Sequence, residues 1–202
     1  EIGKNLNLEI DISPVKFFLP SQLAHPQAQE FGCDPDFCVW TRTKNKVDIN
    51  SIIATQMRSA AGHIHVSFEI NKKPPTIINV EPLVKLFDLA FLPMLFLDDD
   101  VLRRQLYGRA GAFRFKHYAP NVSGVEYRVM SNIWVKFPSL REFVFNQIQW
   151  LFDIGIKNFP PLDPMMRDLT NTINSRNLNR AKYYIKNFHI PLPKGLSLND
   201  SE

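Results

Sequence analysis

The segment Gly62-His63-Ile64-His65-Val66-Ser67 sets two imidazoles and a hydroxyl at every second position. In an extended chain successive side chains point to opposite faces. His63, His65 and Ser67 therefore share one face, while Ile64, Val66 and Phe68 take the other. Paired imidazoles can bind a divalent metal or meet a phosphate, and the plainer alternative is a solvent-facing polar row on an amphipathic strand. Glu126-Tyr127-Arg128 repeats the device, with Glu126 and Arg128 on one face and Val125, Tyr127 and Val129 on the other. A carboxylate can hold a metal while the neighbouring guanidinium grips a phosphate oxygen through parallel hydrogen bonds; alternatively the two form a cross-strand ion pair. A cationic run of Arg103, Arg104, Arg109, Arg114 and Lys116 is interrupted by Tyr107-Gly108 and Ala110-Gly111. Small residues beside arginines let a backbone approach a polyphosphate closely. On a helix Arg103 and Arg104 diverge by about 100°, so at most one of them faces the same site as Arg114, and the other is read as a solvated helix charge.

These residues need elements to hold them. Asn7 to Ile12 alternates like a half-buried strand, and Pro14, Pro20 and Pro26 then mark a loop-rich connection to Phe31-Gly32-Cys33-Asp34-Pro35-Asp36. A second strand is expected over Gly62 to Ile70. Glu81 to Phe91 carries Leu83, Leu86, Phe87 and Ala90 at helical spacing, with Pro82 read as a first-turn proline. Asp98-Asp99-Asp100 is read as opening a further helix through Tyr107, since early acids suit the positive end of the helix dipole. Ala112 to Tyr118 and Val125 to Ser131 read as a hairpin joined around Pro120-Asn121, with Gly124 behind. The last third is helical, with Ser139 expected to cap a helix through Ile156, Asp163 one through about Ser175, and a shorter helix near Leu178 to Asn187.

The chain of 202 residues is long enough for a core without disulfides or a metal staple. Its 45% apolar and 22% charged composition excludes wholesale disorder. A net charge of +4, with no basic helix interleaved by aromatics, leaves a nucleic-acid role unsupported. The longest apolar stretch, Phe91 to Leu97, holds a proline and stops at three aspartates, so no membrane span is expected. Cys33 and Cys38 are read as small apolar core residues in a reducing compartment. The expected fold is α+β, one domain over residues 1–190 with a flexible tail over 191–202. The opening at Glu1 without methionine suggests a processed or truncated piece. Weaker signals are read plainly: Asp98-Asp99-Asp100 as helix capping, Asp34-Pro35-Asp36 as a turn, and Trp134 and Trp150 as core.

Four segments in order carry a resemblance. Phe31-Gly32-Cys33-Asp34-Pro35-Asp36-Phe37 comes first, then Arg58-Ser59-Ala60-Ala61-Gly62-His63-Ile64-His65-Val66. Tyr107-Gly108-Arg109-Ala110-Gly111-Ala112-Phe113-Arg114 follows, and then Gly124-Val125-Glu126-Tyr127-Arg128 with Ser131-Asn132-Ile133-Trp134. From about Phe31 to Trp134 the chain resembles the phage-type carboxylate–amine ligases, or amidoligases, of the glutamine synthetase-like superfamily. The resemblance implies an antiparallel catalytic sheet followed by a helical C-terminal third. It also implies an activity in which ATP and Mg²⁺ or Mn²⁺ phosphorylate a carboxylate and an amine then displaces the phosphate. By that analogy His63, His65 and Glu126 would hold metal, with Glu126, Arg128 and Arg114 serving the chemistry. Arg128, Arg114, Arg109, Arg103 and Ser67 would meet nucleotide. The implied partners are small-molecule or peptide carboxylates and amines, and the implied place is the cytoplasm of a host cell or a virion.

The family carries further acidic metal ligands on strands well upstream of the first motif, where this chain has only Glu9 and Asp11 nearby. The resemblance thus implies that N-terminal strands are absent, supplied by a separate N-terminal fragment or another virus-encoded chain, or lost with activity. The rival readings are a non-catalytic phage structural or interaction protein that keeps the fold, and a metal-dependent hydrolase built on His63 and His65.

Overall fold

The computed structural model describes residues 11–30, 36–45, 56–97, 101–155 and 158–198. The Asn7–Ile12 strand, most of the Phe31–Phe37 motif, Cys33, the three aspartates Asp98–Asp100 and the Ile156 helix end fall largely or wholly outside these residues. Seven strands occur among the described residues: β1 (Val15–Phe17), β2 (Phe37–Cys38), β3 (Thr43–Lys44), β4 (Met57–Ser59), β5 (Ile64–Ser67), β6 (Ala112–Ala119) and β7 (Val122–Tyr127). The helices are α1 (Pro26–Gln29), α2 (Ile77–Ala90), α3 (Arg103–Leu106), α4 (Ile133–Lys136), α5 (Pro138–Ile154), α6 (Met166–Asn174) and α7 (Leu178–Asn187), with short 3₁₀ turns at Pro20–Leu23, Leu92–Phe96 and Asp163–Met165. The fold is mixed α+β with antiparallel sheets. None of these helices is long and apolar enough to cross a membrane.

β1, in the stretch read from sequence as a loop-rich connection, pairs with β4, and the remaining strands form one antiparallel sheet in the order β3-β2-β6-β7-β5. The β6–β7 hairpin closes on Pro120-Asn121, where Asn121 adopts a positive φ of 63°. Asn tolerates the left-handed region better than most residues, which suits it to a tight turn. Gly124 lies inside β7 rather than in the loop, opposite Ser67 and Lys116. The hairpin register slips by one residue between His117 and Ala119, so Tyr118 stands as the extra residue of a bulge.

The inner face of the sheet sends Phe113, Val125 and Tyr127 into a core shared with Val80, Leu83, Val84 and Phe87 of α2. Phe87 and Phe91 flank the Tyr127 ring at 5.3 and 5.9 Å between centroids. Asp88, 1% exposed, accepts from Trp40 Nε1 at 2.6 Å and from the Tyr127 hydroxyl at 2.9 Å. Burial pushes its carboxyl up to about 6, against those hydrogen bonds, which favour the ionised form. α2 begins four residues earlier than the periodicity suggests, at Ile77, with Asn79 Oδ1 accepting from the Thr76 N–H at 2.9 Å. Pro82 therefore sits inside the helix. The backbone bond it cannot donate belongs to the solvent-exposed first turn, where Ile78 is 72% exposed.

α5 starts at Pro138 after Phe137, so Ser139 lies in its first turn rather than at its cap. Gln147 from its buried face donates to the Ala90 carbonyl at 2.7 Å. Asp163 opens a 3₁₀ turn and is bonded to Lys85 at 2.6 Å, with α6 following it. The stretch after Pro191 is packed through Leu198 rather than frayed. Pro193 is buried, and Leu192 and Leu198 sit against the core.

Candidate functional site

The face of the sheet opposite the core carries the chemistry. Register places Glu126 of β7 between His65 of β5 and Arg114 of β6, so three strands contribute one row of polar side chains. His63, one residue before β5, turns its Nδ1 to Glu126 Oε1 at 2.7 Å. Arg128, one residue after β7, bonds the same oxygen through Nη1. Its Nε donates to Asp36 Oδ2 at 3.1 Å, and its guanidinium lies 4.8 Å over the Tyr107 ring. The other Asp36 oxygen accepts from Asn45 Nδ2 at 2.7 Å. Arg114 Nη1 stands 3.9 Å from Glu126 Oε2.

Burial sorts these groups. Arg128, Glu126 and Asp36 are 1%, 4% and 6% exposed, whereas His63 and Arg114 are half-buried and His65 is exposed. An isolated charge taken out of water is expensive, so Arg128 holds its place because two carboxylates neutralise it. Burial works to raise the Glu126 carboxyl, but Arg128 and then His63 outweigh it and hold the group below its ordinary range. Burial first, and the Arg128 charge second, push the His63 imidazole down to about 4. At neutral pH the ring is therefore uncharged. Its Nδ1–H donates to Glu126, and its Nε2 accepts from the Tyr107 hydroxyl at 2.7 Å.

His65 has a different partner. Its Nδ1 lies 3.0 Å from the Tyr118 hydroxyl, which itself donates to the Val125 carbonyl at 3.1 Å. Burial, and then Glu126, push the Tyr118 phenol up to about 12, so it keeps its proton through the neutral range. One donor-capable atom from each of His63, His65 and Glu126 can be chosen so that all three lie within 4.8 Å of one another. This is a set of two nitrogens and one oxygen source, which suits imidazole-binding divalent ions such as Zn²⁺ better than the all-oxygen shell that Mg²⁺ prefers; Mn²⁺, less demanding than Mg²⁺, lies between.

The structure brings His63, His65, Glu126, Arg128 and Arg114 together on one sheet face; strand alternation had paired only His63 with His65 and Glu126 with Arg128. Ser67 is exposed on the same face, in register with Gly124, one row removed from Glu126. Arg103 and Arg109 do not join them. Arg103 is fully buried with Nη2 bonded to the Val129 carbonyl, and Arg104 is buried with Nη1 on the Gly108 carbonyl at 2.6 Å. Neither is a solvated helix charge, because α3 is a single turn enclosed by Gly108 and Val129, so a 100° separation still leaves both guanidiniums inside. Arg109 is exposed and donates back to the Arg104 and Gln105 carbonyls at the end of α3. Three residues escaped the sequence reading: Asp36, taken as part of a turn, Tyr107 and Tyr118. For Tyr118 a signal was present, since Arg114, Lys116 and Tyr118 continue one alternation.

A shallow groove of about 590 Å³ elsewhere, lined by Ile185, His189, Leu192 and Leu198 among others, includes none of these residues. Comparisons with protein-family models, with curated proteins and with solved structures found no match for this chain.

Proposed function

We propose that the chain is an ATP-dependent carboxylate–amine ligase of the glutamine synthetase-like kind, forming an amide through an acyl-phosphate. The observation that carries this reading is the row Arg114–Glu126–His65 with His63 and Arg128 closing on the same carboxylate. It sets divalent-cation donors beside guanidiniums that fit phosphate oxygens, on the sheet face opposite the core. The donor chemistry fits a divalent cation: His63, His65 and Glu126 would hold it, and Mn²⁺ matches the mixed set better than Mg²⁺. When bound, such a cation would neutralise charge on the transferring phosphoryl group. Arg114, the more accessible guanidinium, is assigned to the nucleotide phosphates. Arg128 keeps Glu126 ionised and placed, and the Tyr107 hydroxyl, which occupies the His63 Nε2 lone pair, would give that nitrogen up to the cation. The corresponding substrates are a small-molecule or peptide carboxylate and an amine, and the corresponding place is a host cell's cytoplasm.

The test is calorimetric titration of the chain with ATP in Mn²⁺ and in Mg²⁺, followed by trapping with hydroxylamine across a panel of carboxylates. Metal-dependent ATP binding is expected. Arg114→Ala should weaken it by about 10- to 100-fold, the loss of one charge-assisted phosphate contact. A trapped hydroxamate would report the acyl-phosphate. A well-folded chain that binds no nucleotide refutes the ligase. One observation favours a non-catalytic protein that retains the fold: Asp36 and Glu126 are both already paired with Arg128 with no ligand needed. That reading predicts the refuting result.

A further inference from the structure

Tyr118 is the extra residue of the β6–β7 bulge, and its side chain reaches across β7 to β5. Its ring meets that of His65 edge to face at 5.7 Å between centroids. The hydroxyl has one proton and two neighbours, the Val125 carbonyl at 3.1 Å and His65 Nδ1 at 3.0 Å. A carbonyl can only accept, so the hydroxyl proton goes to Val125. The phenol oxygen then faces His65 Nδ1 with a lone pair, and a lone pair on that nitrogen as well would oppose it. Both contacts are satisfied together only when Nδ1 carries hydrogen. A neutral imidazole protonated at Nδ1 has its free lone pair on Nε2.

We propose that Tyr118 is a positioning residue that fixes His65 as the Nδ1–H tautomer, so that His65 meets a divalent cation through Nε2. The second half rests on the reading that His63, His65 and Glu126 hold such a cation. Partners of this kind set the ring orientation and tautomer of metal-binding histidines, and removing one typically weakens affinity by about 10- to 100-fold. The bulge is what makes the reach possible, since it relieves Tyr118 of a residue directly opposite it and lets the ring lie along the sheet.

The test has two readouts on the full chain. In metal-free protein, long-range ¹H–¹⁵N NMR of the imidazoles should show His65 as the Nδ1–H tautomer, and Tyr118→Phe should turn it into a mixture. Titration with Co²⁺, followed by its visible absorption, should give an apparent Kd about 10-fold or more weaker in Tyr118→Phe, with thermal stability nearly unchanged because Tyr118 is 40% exposed. A wild-type His65 protonated at Nε2 overturns the inference whatever the metal does. Equal or tighter Co²⁺ binding by Tyr118→Phe also overturns it, since tighter binding would mean that Nδ1 is the ligand. If wild-type protein binds no Co²⁺ while the tautomer is as described, the metal reading falls and takes the second half of the inference with it.

Discussion

Asp36→Ala should be among the most destabilising single changes on the site face. The Arg128 guanidinium is 1% exposed and is neutralised by Asp36 at 3.1 Å and by Glu126. Removing Asp36 leaves Glu126 to balance Arg128 but takes the acceptor from the buried Nε, and a lost hydrogen bond between charged groups costs about 1.5–3 kcal/mol. For a domain of this size that corresponds to a fall in Tm of roughly 3–12 °C. Urea denaturation followed by circular dichroism measures the loss directly, with the midpoint moving and the slope unchanged if the transition remains two-state. A double-mutant cycle locates the cause. In an Arg128→Met background no guanidinium Nε is left without its acceptor, so Asp36→Ala should then cost less than about 0.5 kcal/mol, leaving a coupling of about 1 kcal/mol or more. A single-mutant loss within about 0.5 kcal/mol, or costs that simply add, would refute the account of Arg128 as a charge held by two carboxylates.

Two further outcomes follow from the buried polar groups. Gly108 sits at φ 76°, and a Cβ there would lie 2.3 Å from the Arg103 guanidinium, so Gly108→Ala should cost about 2 kcal/mol or more in the same urea assay; a neutral result would mean that Arg103 can leave its place on Val129. Asp88 has a native value of about 6 against 3.8 for the ordinary group, so the stability tied to its protonation is present below about pH 4 and lost as pH rises through 6. Asp88→Asn has no such group, and its stability relative to the parent should improve by up to about 3 kcal/mol between pH 4 and pH 7; a pH-independent difference would show that Asp88 titrates normally.

The legibility of this chain follows the range of the interactions. Alternation put His63 with His65, and Glu126 with Arg128, on one face of their own strands because strand periodicity is a local property, and α7 was expected over the residues it occupies, Leu178–Asn187. Pro82 drew the expected start of α2 too far along, because a proline is usually a first-turn residue and its acceptance here depends on an exposed turn outside its own position. Asp36 was read as a turn residue because its nearest proline is one position away, whereas its ionic partner lies 92 residues later. Arg103 and Arg104 were read by helical angle, but the walls that bury them come from Gly108 and Val129 and are set by tertiary packing. The cross-strand register that puts Arg114 beside Glu126 needed the one-residue bulge at Tyr118, which no spacing announces.

The position of β5 at the rim of the five-stranded sheet has a thermal consequence. Among the described residues β7 is hydrogen-bonded along both sides, by β6 and β5, whereas β5 is paired with β7 alone. Strands with fewer neighbours open at lower free energy, so β5, which carries His65, is expected to open at lower free energy than β7, which carries Glu126. Any ligand that bridges His65 to Glu126 therefore also rivets the rim to the interior, adding RT ln(1 + [L]/Kd) to the work of opening. Amide exchange along Ile64–Ser67 becomes a gauge of occupancy, slowing with ligand concentration before any change in global unfolding is visible.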